Sequence, residues 1–310
     1  MKLYVGTWNP AWGHTWVTRG FGHLYALRNL AEESSICVAD DTANEDLIVC
    51  HPGGEGWEEF SYVGSNPCHI TLLQKEAIVS DYSSGSLSIC PLDEDGLPIQ
   101  EPAMLYFEGQ GPHLVRQNAP HIHSSWISPD GRSLLVVDLG TDKLYRFPVQ
   151  DGKVAKEGIE AFFLPSGCGP RHCAFGDGVL YVATELSDEV LVLEWPSMTL
   201  KQRMIVNPTL PGGGAHIVLA GEYLYVSSRL KNDGIGIFRV LADGRLEKKA
   251  YLKTGRHPRH FCLSPDAQKV FVACRDDNKI QVFDRDLVSG ALKPSGTEYP
   301  VSWPVYVEAV

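Results

Sequence analysis

No apolar run in the sequence is long enough to cross a bilayer as a helix, which excludes a helical membrane span. There is no C-x-x-C pair, so the usual zinc-ribbon and thioredoxin-type signals are missing. No G-x-S-x-G motif places a serine on a strand-to-helix turn, which disfavours a covalent acyl-enzyme. A glycine-rich phosphate loop and a Trp-Asp dipeptide are also absent. Basic residues are in deficit, 27 against 38 acidic, for a formal charge of −11. That balance argues against nucleic acid or an anionic membrane as the main partner. An anion bound here has to be drawn in by local arginine and histidine, against the overall field.

Eight cysteines are present: Cys37, Cys50, Cys68, Cys90, Cys168, Cys173, Cys262 and Cys274. Most fall inside expected strands and read as small buried hydrophobes of a reducing compartment rather than as disulfides or zinc ligands. Met1-Lys2-Leu3-Tyr4 is expected to run straight into a strand with no secretory leader, so a cytoplasmic location is expected.

What the chain does have is a repeated phrase. Residues 167–195, GCGPRHCAFGDGVLYVATELSDEVLVLEW, read as three short strands with alternating apolar positions, separated by a Gly-Asp-Gly turn and a Ser-Asp turn. The phrase recurs after Pro67-Cys68-His69, after Pro120 to His123, after Gly214-Ala215-His216 and after Pro258-Arg259-His260. From His69 to His123 is 54 residues, then 49 to His172, 44 to His216 and 44 to His260. A period in the forties built of strand meanders predicts an all-β propeller occupying residues 1–310 as one domain.

KLYVGTW at the start looks like a second strand without its first, and Pro304 onward looks like the missing first strand. The termini are therefore expected to close one blade. Residues 9–22 are expected to form a long loop. SSICVADD, DLIVCHP and WEEFSYVG within 32–66 read as three strands of one blade. The space there is short for two blades, so the terminal blade and its neighbour are each expected to lack or shorten an outer strand. Seven blades is the favoured count, six with an inserted hairpin the competing one.

In a propeller blade the start of the first strand and the end of the second share one face. The starts carry His69, His123, His172, His216 and His260; the second-strand ends carry Tyr82, Asp138, Glu185, Arg229 and Arg275, at spacings of 13, 15, 13, 13 and 15. Arg171 and Arg259 precede two of the histidines. Taken singly, His69, His216 and His260 read as structural hydrogen-bonders. Where the repeat fills one position with Asp, Glu, Arg and Arg, a role beyond structure is favoured, because buried Arg and Glu are costly unless paired or used. A required metal is the minority reading, since guanidinium groups interleave with the imidazoles. No cofactor is expected.

The stretches APHIHSSWISPDGRSLLVVDLGTDKLYRF (119–147), GPRHCAF…LYVATEL, GGAHIVL…LYVSSR, TGRHPRHFCLSPDAQKVFVA (254–273) and the LYVGTW opening resemble the seven-bladed β-propeller lactonase family. This family includes propeller-type 6-phosphogluconolactonases and the fungal carboxy-cis,cis-muconate cyclase. The chain departs from the family pattern at 30–66, where it is shorter. The resemblance implies a channel-mouth cleft whose catalytic residues are His123, Arg171, Glu185 and Arg229. It implies hydrolysis of a sugar lactone, 6-phosphogluconolactone the leading candidate. The alternatives are cycloisomerisation of a carboxymuconate, or a non-catalytic propeller that binds a ligand or protein.

An imidazole with an unperturbed pKa of about 6.5 suits acid–base work near neutral pH, so His123 is assigned that role, with Glu185 orienting it or the water. Arg171 and Arg229 are expected to grip a carboxylate or phosphate and stabilise the oxyanion. His121, Asp138, His172, Arg275, Arg259 and His216 are the expected substrate contacts.

Overall fold

Seven antiparallel sheets of four or five strands form the seven blades of a β-propeller. The computed structural model describes residues 1–9, 13–29, 34–41, 46–207, 209 and 212–310. The chain divides into two compact units, one of Met1–Val5, Asp46–Val49 and Pro170–Val310, the other of Gly6–Glu45 and Cys50–Gly169.

The first unit contains three complete blades. Their four strands are Pro170–Phe175, Val179–Thr184, Glu189–Glu194 and Leu200–Ile205; then Gly213–Ala220, Tyr223–Arg229, Gly234–Val240 and Leu246–Lys253; then Pro258–Leu263, Lys269–Cys274, Lys279–Arg285 and Leu292–Pro300. Second strands such as VLYVAT and YLYVSSR are buried along their whole length, while the outer LEKKAYLK is largely exposed. That is why the β-branched and aromatic residues concentrate in the middle strands. The apolar side chains fill the spaces between successive blades: Tyr181, Val192, Leu224 and Phe238 in one layer, Tyr225, Ile235, Phe261 and Val272 in the next.

The second unit repeats the arrangement. Val17–Gly20, His23–Asn29, Ser34–Asp40 and Glu58–Val63 form one blade; Pro67–Leu72, Glu76–Asp81, Ser86–Pro91 and Ala103–Tyr106 the next; Ile122–Ile127, Ser133–Asp138, Lys143–Gln150 and Glu160–Phe163 the third.

Two devices recur between neighbouring blades. A buried second-strand tyrosine donates to the carbonyl of a turn glycine in the following blade: Tyr25 to Gly96, Tyr181 to Gly244 and Tyr225 to Gly290, each at 2.8 Å. These turns need glycine, because φ is +88° at Gly96 and +68° at Gly290 and an added Cβ would lie 2.3 Å from Tyr223 at Gly290. A left-handed residue in the turn after the second strand also grips the entry to the next blade. Asp142 accepts from the amides of Gly167 and Gly169, Asp188 from Gly212, and Asn278 from Trp303.

Closure joins the two ends of the chain. Leu3–Asn9 pairs with Pro304–Ala309, with Lys2 and Val310 exchanging backbone hydrogen bonds at 2.8 and 3.0 Å. On its other side lie Leu47–Cys50 and the short Gly13–His14, so this blade is trimmed as expected. Its neighbour is not. Residues 9–22 are not one loop, because Val17–Gly20 is the first strand of a complete four-stranded blade. Nor do the three strands of 32–66 share a sheet. SSICVAD pairs with EEFSYV, while LIVC crosses to Leu3–Asn9. Hydrogen bonding to Leu3, through Asp46, outweighs closeness in sequence.

Candidate active site

The first strands do not enter their blades smoothly. Pro170 pairs with Thr184 but His172 pairs with Ala183, leaving Arg171 as the extra residue of a β-bulge. The same shift leaves out Arg259 between Pro258 and His260, His123 between Ile122 and Ser124, and Cys68 between Pro67 and His69. In the blade that opens with Gly213–Ala220, Ala215 and His216 oppose Ser227, whose hydroxyl accepts from the His216 amide at 3.0 Å. A bulge re-aims one side chain per blade, so the repeat places its variable residue there.

This register corrects the alignment read from the sequence in one blade. His123 is in phase with Arg171 and Arg259, not with His69, His172 and His260; Ser124 takes the histidine position. Asp138 pairs with Ile122 as Thr184 does with Pro170, so Leu139, not Asp138, matches Glu185. The phrase His121-Ile122-His123 offers two histidines to the alignment, and neither of them is at the repeated position. The displacement shows in the chemistry. Asp138 is buried, with Oδ1 accepting from the amides of His121 and Gly140 at 2.9 Å and Oδ2 from the Thr141 hydroxyl at 2.5 Å. Both oxygens are spent on the loop, and burial raises its pKa.

In the first unit Arg171, Glu185 and Arg229 come together. Arg171 Nε donates to Glu185 Oε2 at 3.1 Å and Arg229 Nη2 donates to the same oxygen at 2.6 Å. All three are nearly sealed, at 2%, 3% and 6% exposure. Arg171 Nη1 also donates to the Ala215 carbonyl, which ties the bulge of one blade to the next. Arg229 Nε is buried with no hydrogen-bond partner among the described residues. Arg259 is half-buried and, among the described residues, takes part in no ion pair. Burial, then Arg229 and Arg171, hold its guanidinium well below the usual arginine range, with Glu185 opposing them. Arg275 pairs with Asp276 at 2.7 Å and keeps 28% of its side chain exposed. Two guanidinium groups therefore pair with one carboxylate, and the third, Arg259, feels its charge without pairing with it. Excess buried positive charge is an anion site in waiting.

Sequence reasoning passed over His257. It is 4% exposed, its Nε2 lies 3.0 Å from Arg229 Nη1, and its φ is +57°. The signal was available: it precedes the blade-opening Pro258 just as Asn66 precedes Pro67 and Gly169 precedes Pro170, all at positive φ. Left-handed backbone favours Gly and, among the other residues, Asn, Asp and His.

His172 and His216 belong to a ladder instead. Arg171 Nη1 faces His172 Nε2 at 3.4 Å, and an arginine can only donate, so His172 carries its proton on Nδ1 and donates to His216 Nδ1 at 2.7 Å. The His216 ring stacks on His260 at 3.8 Å, and the His260 ring meets Tyr306 tilted at 4.5 Å. His216, His260 and Tyr306 line a cavity of about 450 Å³.

In the second unit His123 is buried, with its ring edge-on to Tyr82 at 5.7 Å. His121 stacks on Tyr82 at 4.4 Å and donates from Nδ1 to the Tyr82 carbonyl at 2.8 Å, while Arg116 reaches the Tyr82 hydroxyl at 3.0 Å. His69 lies between Trp16 and Trp126, with centroids 4.5 and 4.9 Å away. All eight cysteines are free thiols, and burial pushes Cys274 up to about 12, so it offers no ready thiolate.

Among the described residues no helix is long and apolar enough to cross a membrane. The chain is 32% identical over 263 residues to a 6-phosphogluconolactonase of Bacillus subtilis (strain 168), covering 79% of this chain and 73% of that one. It is 31% identical to a 6-phosphogluconolactonase of Formosa agariphila, over 77% and 72% of the two chains. A crystal structure from Bacteroides fragilis NCTC 9343 superposes with a TM-score of 0.87 at 27% identity, covering 99% of this chain and 96% of that one. The periplasmic gluconolactonase PpgL of Pseudomonas aeruginosa shares the fold, with a TM-score of 0.80 at 21% identity over 99% and 98%. Residues 15–309 match the family described as lactonase, 7-bladed beta-propeller. The chain belongs to the seven-bladed β-propeller lactonase family.

Proposed function

We propose that the chain hydrolyses a sugar lactone carrying an anionic group, with 6-phosphogluconolactone the first substrate to test. The observation that carries this reading is the excess of guanidinium over carboxylate around Glu185: among the described residues Arg259 is in no ion pair and Arg229 Nε has no acceptor. Arginines bind phosphate and carboxylate bidentately, and a dry setting strengthens the contact. The relatives named 6-phosphogluconolactonase favour the phosphorylated lactone over a carboxymuconate.

In the reaction, water adds to the acyl carbon and gives up a proton. The ring C–O bond then breaks, and the departing alkoxide takes up a proton. Arg171 and Arg229 supply the positive charge that stabilises the developing oxyanion. His123 is proposed as the acid–base residue on two grounds: an imidazole suits the task, and it fills the bulge position that Arg171 and Arg259 fill in their own blades. Glu185 keeps the two guanidinium groups converged. A cytoplasmic setting is proposed from the eight free thiols.

The test is product-acid release from 6-phosphogluconolactone and from unphosphorylated gluconolactone, with loss of muconate absorbance followed in parallel. Higher kcat/KM on the phosphorylated lactone supports the reading. Equal rates on the two lactones remove the anionic group from recognition, and turnover of the muconate alone replaces hydrolysis with cycloisomerisation.

A further inference from the structure

Arg229 is held from two sides. Nη2 donates to Glu185, and Nη1 lies 3.0 Å from His257 Nε2. A guanidinium has no acceptor, so the imidazole accepts, and its proton resides on Nδ1. That nitrogen faces Asp276 Oδ2 at 3.6 Å, and Asp276 Oδ1 accepts from Arg275 Nε at 2.7 Å. The groups form one line: Arg275, Asp276, His257, Arg229, Glu185. Burial first, then the positive charges of Arg229, Arg275, Arg259 and Arg171, hold the His257 imidazole far below its usual range, so it stays a neutral acceptor. Its left-handed backbone costs free energy that Gly or Asn, used at 169 and 66, largely avoids.

We infer that His257 is a positioning residue for the lactonase site, accepting from Arg229 to fix the plane of the guanidinium that meets Glu185. The inference rests on the reading of Arg229 as an anion-binding residue.

Two variants separate positioning from a turn-forming role. His257→Asn suits the left-handed backbone but is too short to present an acceptor where Nε2 lies. His257→Gln suits the backbone less but reaches that place with its carbonyl. The expected result on 6-phosphogluconolactone is a loss in kcat/KM of about tenfold to a hundredfold for Asn, the scale of a hydrogen bond to a charged group. Gln recovers most of that loss, although it is the less stable protein on heating. In an Arg229→Lys background the difference between Asn and Gln disappears. The inference is overturned if Asn is as active as Gln, which is the outcome for a turn former, or if both match the unaltered protein. Full turnover in Arg229→Ala overturns the anion-site reading beneath it.

Discussion

Arg171 Nε donates to Glu185 Oε2 at 3.1 Å across two side chains that are each 3% exposed. A pair so far from water is held by its environment. With Arg229 on the same oxygen, Glu185 is a carboxylate partner shared by both guanidinium groups. Glu185→Gln leaves them repelling each other in a dry setting. Breaking such a pair costs about 3–5 kcal/mol, so a fall in the urea midpoint is expected together with loss of lactonase turnover. Added inorganic phosphate is expected to restore more stability to this variant than to the unaltered protein, because an anion then takes the place of the carboxylate. An unchanged midpoint means that the pair contributes nothing to holding the fold.

Arg259 behaves in the opposite sense. Its guanidinium is crowded by Arg229 and Arg171 and has lost hydration, so the folded state bears its charge at a cost. Arg259→Met is expected to raise the thermal midpoint while raising KM for the phosphorylated lactone about tenfold or more, the worth of a charge-assisted hydrogen bond. A lower midpoint with unchanged KM contradicts its proposed place in substrate binding.

His123 is tested by His123→Gln, which retains a polar group of similar reach but has no titrating nitrogen. As the acid–base residue its loss is expected to lower kcat by about 100-fold or more, with KM little changed. Stopped kinetics that show the unaltered kcat remove it from the chemistry.

Asp81 gives a pH dependence whose sign is fixed. It is fully buried, Oδ2 accepts from Ser88 at 2.8 Å and Ser86 at 3.2 Å, and Oδ1 has no hydrogen-bond partner among the described residues. Burial outweighs the serine hydrogen bonds and pushes its pKa up to about 7. The unfolded carboxyl titrates near 3.9, so between about pH 4 and pH 7 the folded state holds a proton that the unfolded state has released. Its contribution to stability is therefore full below pH 4 and is lost as pH rises through 7. Denaturant unfolding at pH 5 and pH 8 should show the unaltered protein losing a few kcal/mol, on the order set by the shift, and Asp81→Asn losing less. Equal losses in the two proteins contradict an ionisation at this position.

Much of the site was legible because the repeat carries its own ruler. Glu185 and Arg229 fall at homologous second-strand ends of blades whose turns have equal length, and Arg171 stands just before a repeated histidine, so counting from Pro170 and Gly214 lands on side chains that meet. The same count failed by one residue at Asp138, where two histidines flank Ile122 and hydrogen bonding rather than residue type decides which residue bulges out. His257 was missed because the residue before the blade-opening prolines differs from blade to blade, Asn66, Gly169 and His257, and the positive φ that unites them shows only in the backbone. The first strand of the blade that runs from Val17 to Val63 was hidden for a related reason. Val17–Gly20 has only one buried residue among Val, Thr, Arg and Gly, so it carries no alternation to read. LIVC was placed with its sequence neighbours because pairing with Leu3–Asn9 is a long-range event that local pattern does not encode.

The central claim is that the guanidinium groups meeting at Glu185 perform the chemistry of this family. It is tested most directly by the rate of 6-phosphogluconolactone hydrolysis in Arg171→Ala and Arg229→Ala, read beside their circular dichroism. Loss of about 100-fold or more in kcat/KM from each, with the β-sheet spectrum intact, is the predicted result. Undiminished turnover in both would contradict it.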